Sequence, residues 1–106
     1  MNIYTEDKAL AELLKFGKTN DKRYRKLPKE AINGFLKALA ILKQSDKIED
    51  LYRYNSLHYK VLQGNYKGYE SVRCNRTWRL IFKSHSTDGG TIVTEVQLIE
   101  ISHHYE

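Results

Sequence analysis

Arg73 and Arg79 flank an Asn75-Arg76-Thr77 turn in the second half of the 106-residue chain. Their neighbours Val72, Cys74, Leu80 and, further on, Phe82 are apolar. In extended strands the arginines would therefore project away from the side that suits a core. Two guanidinium groups on one sheet face could grip one phosphate, because their donor forks match its oxygens. Surface charge on an amphipathic hairpin is the alternative, since such alternation is ordinary in half-solvated sheets. His58 and Lys60 share a strand face by the same two-residue rule. The last five residues, Ser102-His103-His104-Tyr105-Glu106, set two imidazoles and a phenol just past the final strand. An imidazole can take or give a proton near neutral pH, as RNA cleavage by an internal 2′-hydroxyl requires. A frayed terminus is the competing explanation there.

The charge distribution narrows the partners. Lys and Arg outnumber Asp and Glu by 18 to 13, a net charge of +5. Between residues 57 and 83 six basic residues (Lys60, Lys67, Arg73, Arg76, Arg79, Lys83) face one acid, Glu70. Such clustering attracts polyanions, although a solvated basic surface would give the same count. Adjacent His103 and His104 invite a metal reading, but no other His, Cys or acid stands at a recognisable ligand spacing, so no metal or other cofactor is expected. Hydrolase-triad, phosphate-loop and dinucleotide patterns are absent. Cys74 is the only cysteine, so no internal disulfide can form and a reducing cytoplasm is the expected setting; its strand position marks it as a small buried hydrophobe. No run approaches the length of a membrane span and no secretory signal is visible, so no membrane partner is expected.

The elements that must position these groups fall into two parts of one domain, 1–106: a helical part, 1–45, and a sheet with its tail, 57–105. Thr5 can cap a helix carrying Ala9, Leu10, Leu13 and Leu14, and Gly17 is placed to end it. The basic stretch from Lys18 to Lys26 reads as a loop. Pro28 suits the first turn of a second helix with Glu30 near its positive end and a stripe of Ile32, Phe35, Leu36, Leu39 and Leu42. Gly34 weakens that helix and marks close packing. Residues 48–54 fit either a turn or further helix. Strands are expected near 57–62, 70–75, 78–83 and 91–101, with Asp88-Gly89-Gly90 as a hairpin loop. Helices followed by an antiparallel sheet make an α+β domain, with two amino-terminal helices on one face of a twisted sheet and the other face free for a ligand.

The run from Leu57 through Leu62-Gln63-Gly64 to Lys67-Gly68-Tyr69 resembles a stretch of RelE-superfamily toxins, where Leu-x-Gly precedes Lys/Ser-Gly-Tyr. Ser71-Val72-Arg73-Cys74-Asn75-Arg76-Thr77-Trp78-Arg79-Leu80-Ile81-Phe82 is similar to that family's Ser-Ile/Val-Arg-x-Asn-x-x-Trp/Tyr-Arg-Ile/Leu-x-Phe signature. A closing strand ending in His-Tyr or Tyr-His occurs in HigB and YoeB toxins. Order and spacing agree over residues 57–105, whereas the helical part matches only in arrangement. The resemblance implies a RelE-like microbial ribonuclease fold and a type II toxin that cuts mRNA in the ribosomal A site without a metal, docking on ribosomal RNA. It also implies a cognate antitoxin. The chemistry would be attack of a 2′-oxygen on the adjacent phosphate, giving a cyclic phosphate and a 5′-hydroxyl.

Carried over by position, Arg79 matches the arginine before Leu/Ile-x-Phe and would stabilise the phosphorane. Arg73 matches less securely, because some relatives place their arginine a residue or two away. His104 and Tyr105 match the terminal pair, as acid or base and as positioner, with His103 the fallback if the alignment slips. Lys60 stands where some relatives carry His or Glu. A lysine there must lose its proton to act as base; otherwise it serves electrostatically, with His58 able to substitute. His58, Lys67, Tyr69, Arg76, Trp78, Lys83 and His103 are the expected RNA contacts, Trp78 being equally suited to the core. Two other functions fit the same fold: a ParE-like inhibitor of DNA gyrase and a non-catalytic RNA-binding module.

Overall fold

A computed structural model describes residues 1–86 and 93–103, and in it the first helix starts at Asp7 and not at Thr5. The Asp7 carboxylate accepts the amides of Ala9 and Leu10 at 2.9 and 3.1 Å, capping α1 (Lys8–Phe16). Gly17 closes the helix as expected, in the left-handed conformation at φ 73°, its N–H returning to the Leu13 carbonyl. Thr5 belongs instead to β1 (Asn2–Thr5), and its hydroxyl donates to the Leu98 carbonyl at 3.0 Å. The second helix, α2 (Lys29–Gln44), begins just after Pro28, and it buries Ala31, Phe35, Ala38, Leu39, Ile41 and Leu42.

Residues 48–53 and 55–57 form short 3-10 helices, which settles the open segment after α2. The sheet follows as β2 (Lys60–Val61), β3 (Glu70–Arg73), β4 (Trp78–Ser86) and β5 (Val93–His103). Its order is β1-β5-β4-β3-β2. The α+β class and the helices on one sheet face are as expected, but the sheet is mixed rather than wholly antiparallel, because β1 pairs parallel to β5. Four residues at an edge carry too little periodicity to announce a strand. The strand expected at 57–62 shrinks to two residues, because Leu57 closes a 3-10 turn and His58 caps it at φ 44°. The expected Asp88-Gly89-Gly90 loop lies outside the described residues.

Side-chain alternation divides the sheet. Val72, Leu80, Phe82, Val96, Leu98 and Ile101 point to the helices and join Leu10, Leu13, Phe35 and Leu42 in one core. Tyr24, buried in the basic stretch, accepts the Ile101 N–H at 3.2 Å and so ties that stretch to β5 beyond the end of β1. Arg23 beside it bridges Asp7 at 2.7 Å and Asp21 at 3.0 Å. Gly34 is a packing position: a Cβ there would overlap the Cys74 carbonyl oxygen in the turn between β3 and β4.

Gly34→Ala should therefore destabilise the protein despite alanine's better helix propensity, by roughly 2 kcal/mol or more, read as a lower denaturation midpoint at unchanged m-value. Asp7→Ala should cost about 1 kcal/mol as a lost helix cap. The Arg23 hydrogen bonds, with the helix amides, hold the Asp7 carboxyl below its ordinary value of 3.8. A lowered folded pKa means that this stability is complete above the unfolded value and disappears as pH falls through the folded one. Wild type and variant should accordingly differ at neutral pH and converge in acid-titrated thermal melts.

Candidate functional site

The face of the sheet away from the helices carries the charge. Arg73 pairs in register with Arg79, and Arg79 with Ser102. A neighbouring row runs Lys60, Ser71, Ile81, Glu100. Directly opposed side chains in such a sheet start about 4.5–5.5 Å apart, so the register alone brings the two arginines together.

Arg79 is only 6% exposed. A buried guanidinium must have its donors satisfied. Its Nε donates to the Ser71 hydroxyl at 2.9 Å and its Nη2 to the His58 carbonyl at 2.6 Å. Ser71 is itself buried, and His58 offers its carbonyl from a left-handed backbone conformation that is uncommon outside glycine. Arg73 is half-buried, and its Nε is enclosed without a hydrogen-bond partner among the described residues. Two like charges on opposed positions repel. An anion between them would relieve that repulsion and accept from the enclosed Arg73 Nε.

Above this floor lies an open cleft of about 360 Å³. Ser71, Arg79 and Ile81 floor it, and Leu62, Tyr66, Ser102 and His103 wall it. Tyr66, in the 3-10 turn at Gly64–Tyr66, donates to Glu100 Oε1 at 2.8 Å. The Glu100 carboxylate holds the Tyr66 phenol above the usual tyrosine value, while the Ser102 hydroxyl draws it back.

Of the residues singled out in the sequence, Arg73, Arg79 and Lys60 share the charged face, Lys60 exposed on the edge strand β2. His103 lines the cleft. Lys83 sits with its ammonium 5.2 Å from the centre of the Tyr69 ring, and Tyr69 meets Tyr66 edge to face. Lys67 and Arg76 are exposed in turns. The expectation that His58 and Lys60 share a strand face is corrected: His58 ends a 3-10 turn, and its side chain lines a separate cleft with Tyr54 and Tyr59. Trp78 is half-buried against the core, its ring 5.1 Å from that of His103. His104 and Tyr105 lie outside the described residues. Cys74 is buried, and loss of solvation pushes its thiol up to about 12 against a small pull from Arg79. Among the described residues no three His, Cys, Asp or Glu side chains gather as a metal site would need.

Sequence reasoning missed Ser71, Tyr66, Glu100 and Ser102. Two-residue spacing from Arg73 does point to Ser71, but nothing local links Tyr66 to a carboxylate 34 positions away.

Residues 6–96 match the model of a family described as the RelE-like toxin of the type II toxin–antitoxin system HigB. The chain is 36% identical over 64 residues to toxin HigB-1 of Vibrio cholerae, covering 60% of this chain and 67% of that protein. Its fold is similar to a YoeB/ParE toxin from Agrobacterium tumefaciens (TM-score 0.55, 11% identity, 99% and 100% of the two chains). It is also similar to the toxin–antitoxin complex YoeB–YefM from Staphylococcus aureus (TM-score 0.52, 17% identity, 99% and 98%).

Ser71→Ala would leave the Arg79 Nε buried without its acceptor. Chemical denaturation should register a loss of about 1–3 kcal/mol, and an unchanged midpoint would show that the guanidinium is held by other contacts.

Proposed function

The chain belongs to the HigB-like family of RelE-like toxins of type II toxin–antitoxin systems, and from that membership we propose that it is a metal-independent ribonuclease cutting mRNA in the ribosomal A site. The observation that carries the reading is the buried Arg79 on the floor of the cleft, locked by Ser71 and the His58 carbonyl and opposed in register by Arg73. A phosphodiester seated there meets fixed positive charge. Attack by the adjacent 2′-oxygen builds a phosphorane whose extra negative charge these guanidinium groups stabilise more than they do the ground state.

His104 protonates the departing 5′-oxygen, with Tyr105 positioning the substrate beside it. Lys60 and Lys83 add positive potential across the same face, and the exposed Lys67 and Arg76 extend it toward ribosomal RNA. Tyr69 offers an aromatic face to an unpaired base, while the burial of Trp78 favours its core role. A cognate antitoxin is the protein partner and the cytoplasm the site of action. No helix among the described residues is long and apolar enough to cross a membrane.

Purified protein freed of bound metal by EDTA and desalting, then mixed with programmed ribosomes and mRNA, should give discrete A-site cuts when 5′ ends are mapped by primer extension. Arg79→Ala and His104→Ala should each lower the cutting rate about 10²–10³-fold with ribosome binding retained. Intact mRNA under conditions where a related toxin cuts would overturn the reading in favour of gyrase inhibition or RNA binding alone.

A further inference from the structure

The sequence leaves the acceptor of the 2′-hydroxyl proton open among Lys60, His58 and His104, with His103 as fallback. Lys60 stands exposed on β2, away from the apolar enclosure that lets a lysine serve as base. Serines and arginines on the cleft floor are poor acceptors at neutral pH, and the His103 ring in the wall packs edge to face on Trp78 at 5.1 Å. The structure supplies another group. Glu100 is half-buried on the charged face, in the row next to Arg79, and its Oε1 holds the phenol of Tyr66 at 2.8 Å. Tyr66 walls the cleft that Arg79 floors. A phenol that donates its hydrogen to a carboxylate keeps oxygen lone pairs for a second partner, and Tyr66 is 39% exposed at the cleft's rim.

We propose that Tyr66 and Glu100 form the proton-accepting pair of the cleavage step, with Tyr66 touching the 2′-hydroxyl and Glu100 behind it. This rests on the ribonuclease reading above. As the 2′-oxygen bonds to phosphorus, its proton passes to the Tyr66 oxygen while the phenolic proton moves to Glu100 Oε1. The bond from phosphorus to the 5′-oxygen breaks, and that oxygen takes a proton from the acid assigned to His104. The products are a 2′,3′-cyclic phosphate, a 5′-hydroxyl, neutral Tyr66 and protonated Glu100, which returns its proton to water. A pair that only fastened the 64–66 turn to β5 would affect stability and leave the chemistry alone.

Single-turnover cutting on programmed ribosomes separates the two roles. Wild type, Tyr66→Phe, Glu100→Gln, the double variant and His104→Ala are compared on mRNA with an ordinary linkage and on mRNA with a 5′-bridging phosphorothiolate at the mapped cut. Glu100→Gln keeps an acceptor for Tyr66, so the turn stays attached. Each single variant should slow the ordinary substrate about 10²-fold at saturating toxin, and the double variant should be no slower than either. The thiolate leaving group needs no proton, so it should rescue His104→Ala and neither Tyr66→Phe nor Glu100→Gln. Wild-type rates in Tyr66→Phe, or rescue of that variant by the thiolate, would overturn the pair while leaving the ribonuclease reading intact. A wild type that cuts neither substrate would overturn that reading and the pair with it.

Discussion

A cation held at 6% exposure in the middle of a sheet face constrains everything near it. Arg79 needs acceptors close at hand, since an uncompensated buried charge costs several kcal/mol. The acceptors come from two other elements, a hydroxyl on β3 and a carbonyl at the end of the 55–57 turn. That second contact explains the abrupt entry into β2. An extended strand through His58 would carry its carbonyl along the ladder, whereas the left-handed residue presents it to the guanidinium. The short edge strand and the single non-glycine residue with positive φ among the described residues thus belong to one arrangement. The strain at His58 is offset by a charge-assisted hydrogen bond at 2.6 Å.

The same arginine depends on the opposite face. β4 carries Leu80 and Phe82 to the helices and Arg79 and Ile81 to the cleft, and a slip of one residue would exchange the two sets. Close packing resists such a slip. The backbone of Cys74 lies so near Gly34 that α2 and the turn between β3 and β4 are keyed together. At the far edge Thr5 and Tyr24 bond the backbone of β5 on either side of the end of β1. Register on both flanks of β4 is therefore set by contacts with groups outside the sheet ladder.

What was legible in the sequence is what local pattern encodes. Gly17 as a helix stop, Gly34 as a close approach, the apolar stripes and the alternation around Arg73 and Arg79 all follow from spacing within one element. Thr5 and Asp7 show where this runs out. Both are good capping residues two positions apart, and the choice falls to a bond between Thr5 and Leu98, 93 residues away. The parallel β1 is illegible for the same reason, because its partner is the last strand. His58 was misplaced because strand propensity around it is high, while its conformation is set by the 3-10 turn and the buried arginine. Tyr66 and Glu100 meet only through the fold.

The opposed arginines raise a question of energy that bears on function. Register places two cations side by side when the sheet could have alternated signs. Stability alone does not favour that choice, since opposite charges at these positions would stabilise the hairpin and like charges weaken it. The repulsion is tolerable because the hairpin's other face is packed into the core, where Val72 and Leu80, the pair between the two arginine-bearing and serine-bearing rows, are fully buried. Burial of two such side chains is worth roughly 3–6 kcal/mol, and it works against a repulsion that solvent screens little where Arg79 is buried. A bound phosphate would turn this local cost into attraction on both sides. The charged face is thus electrostatically prepared for an anion, as the proposed phosphorane would require.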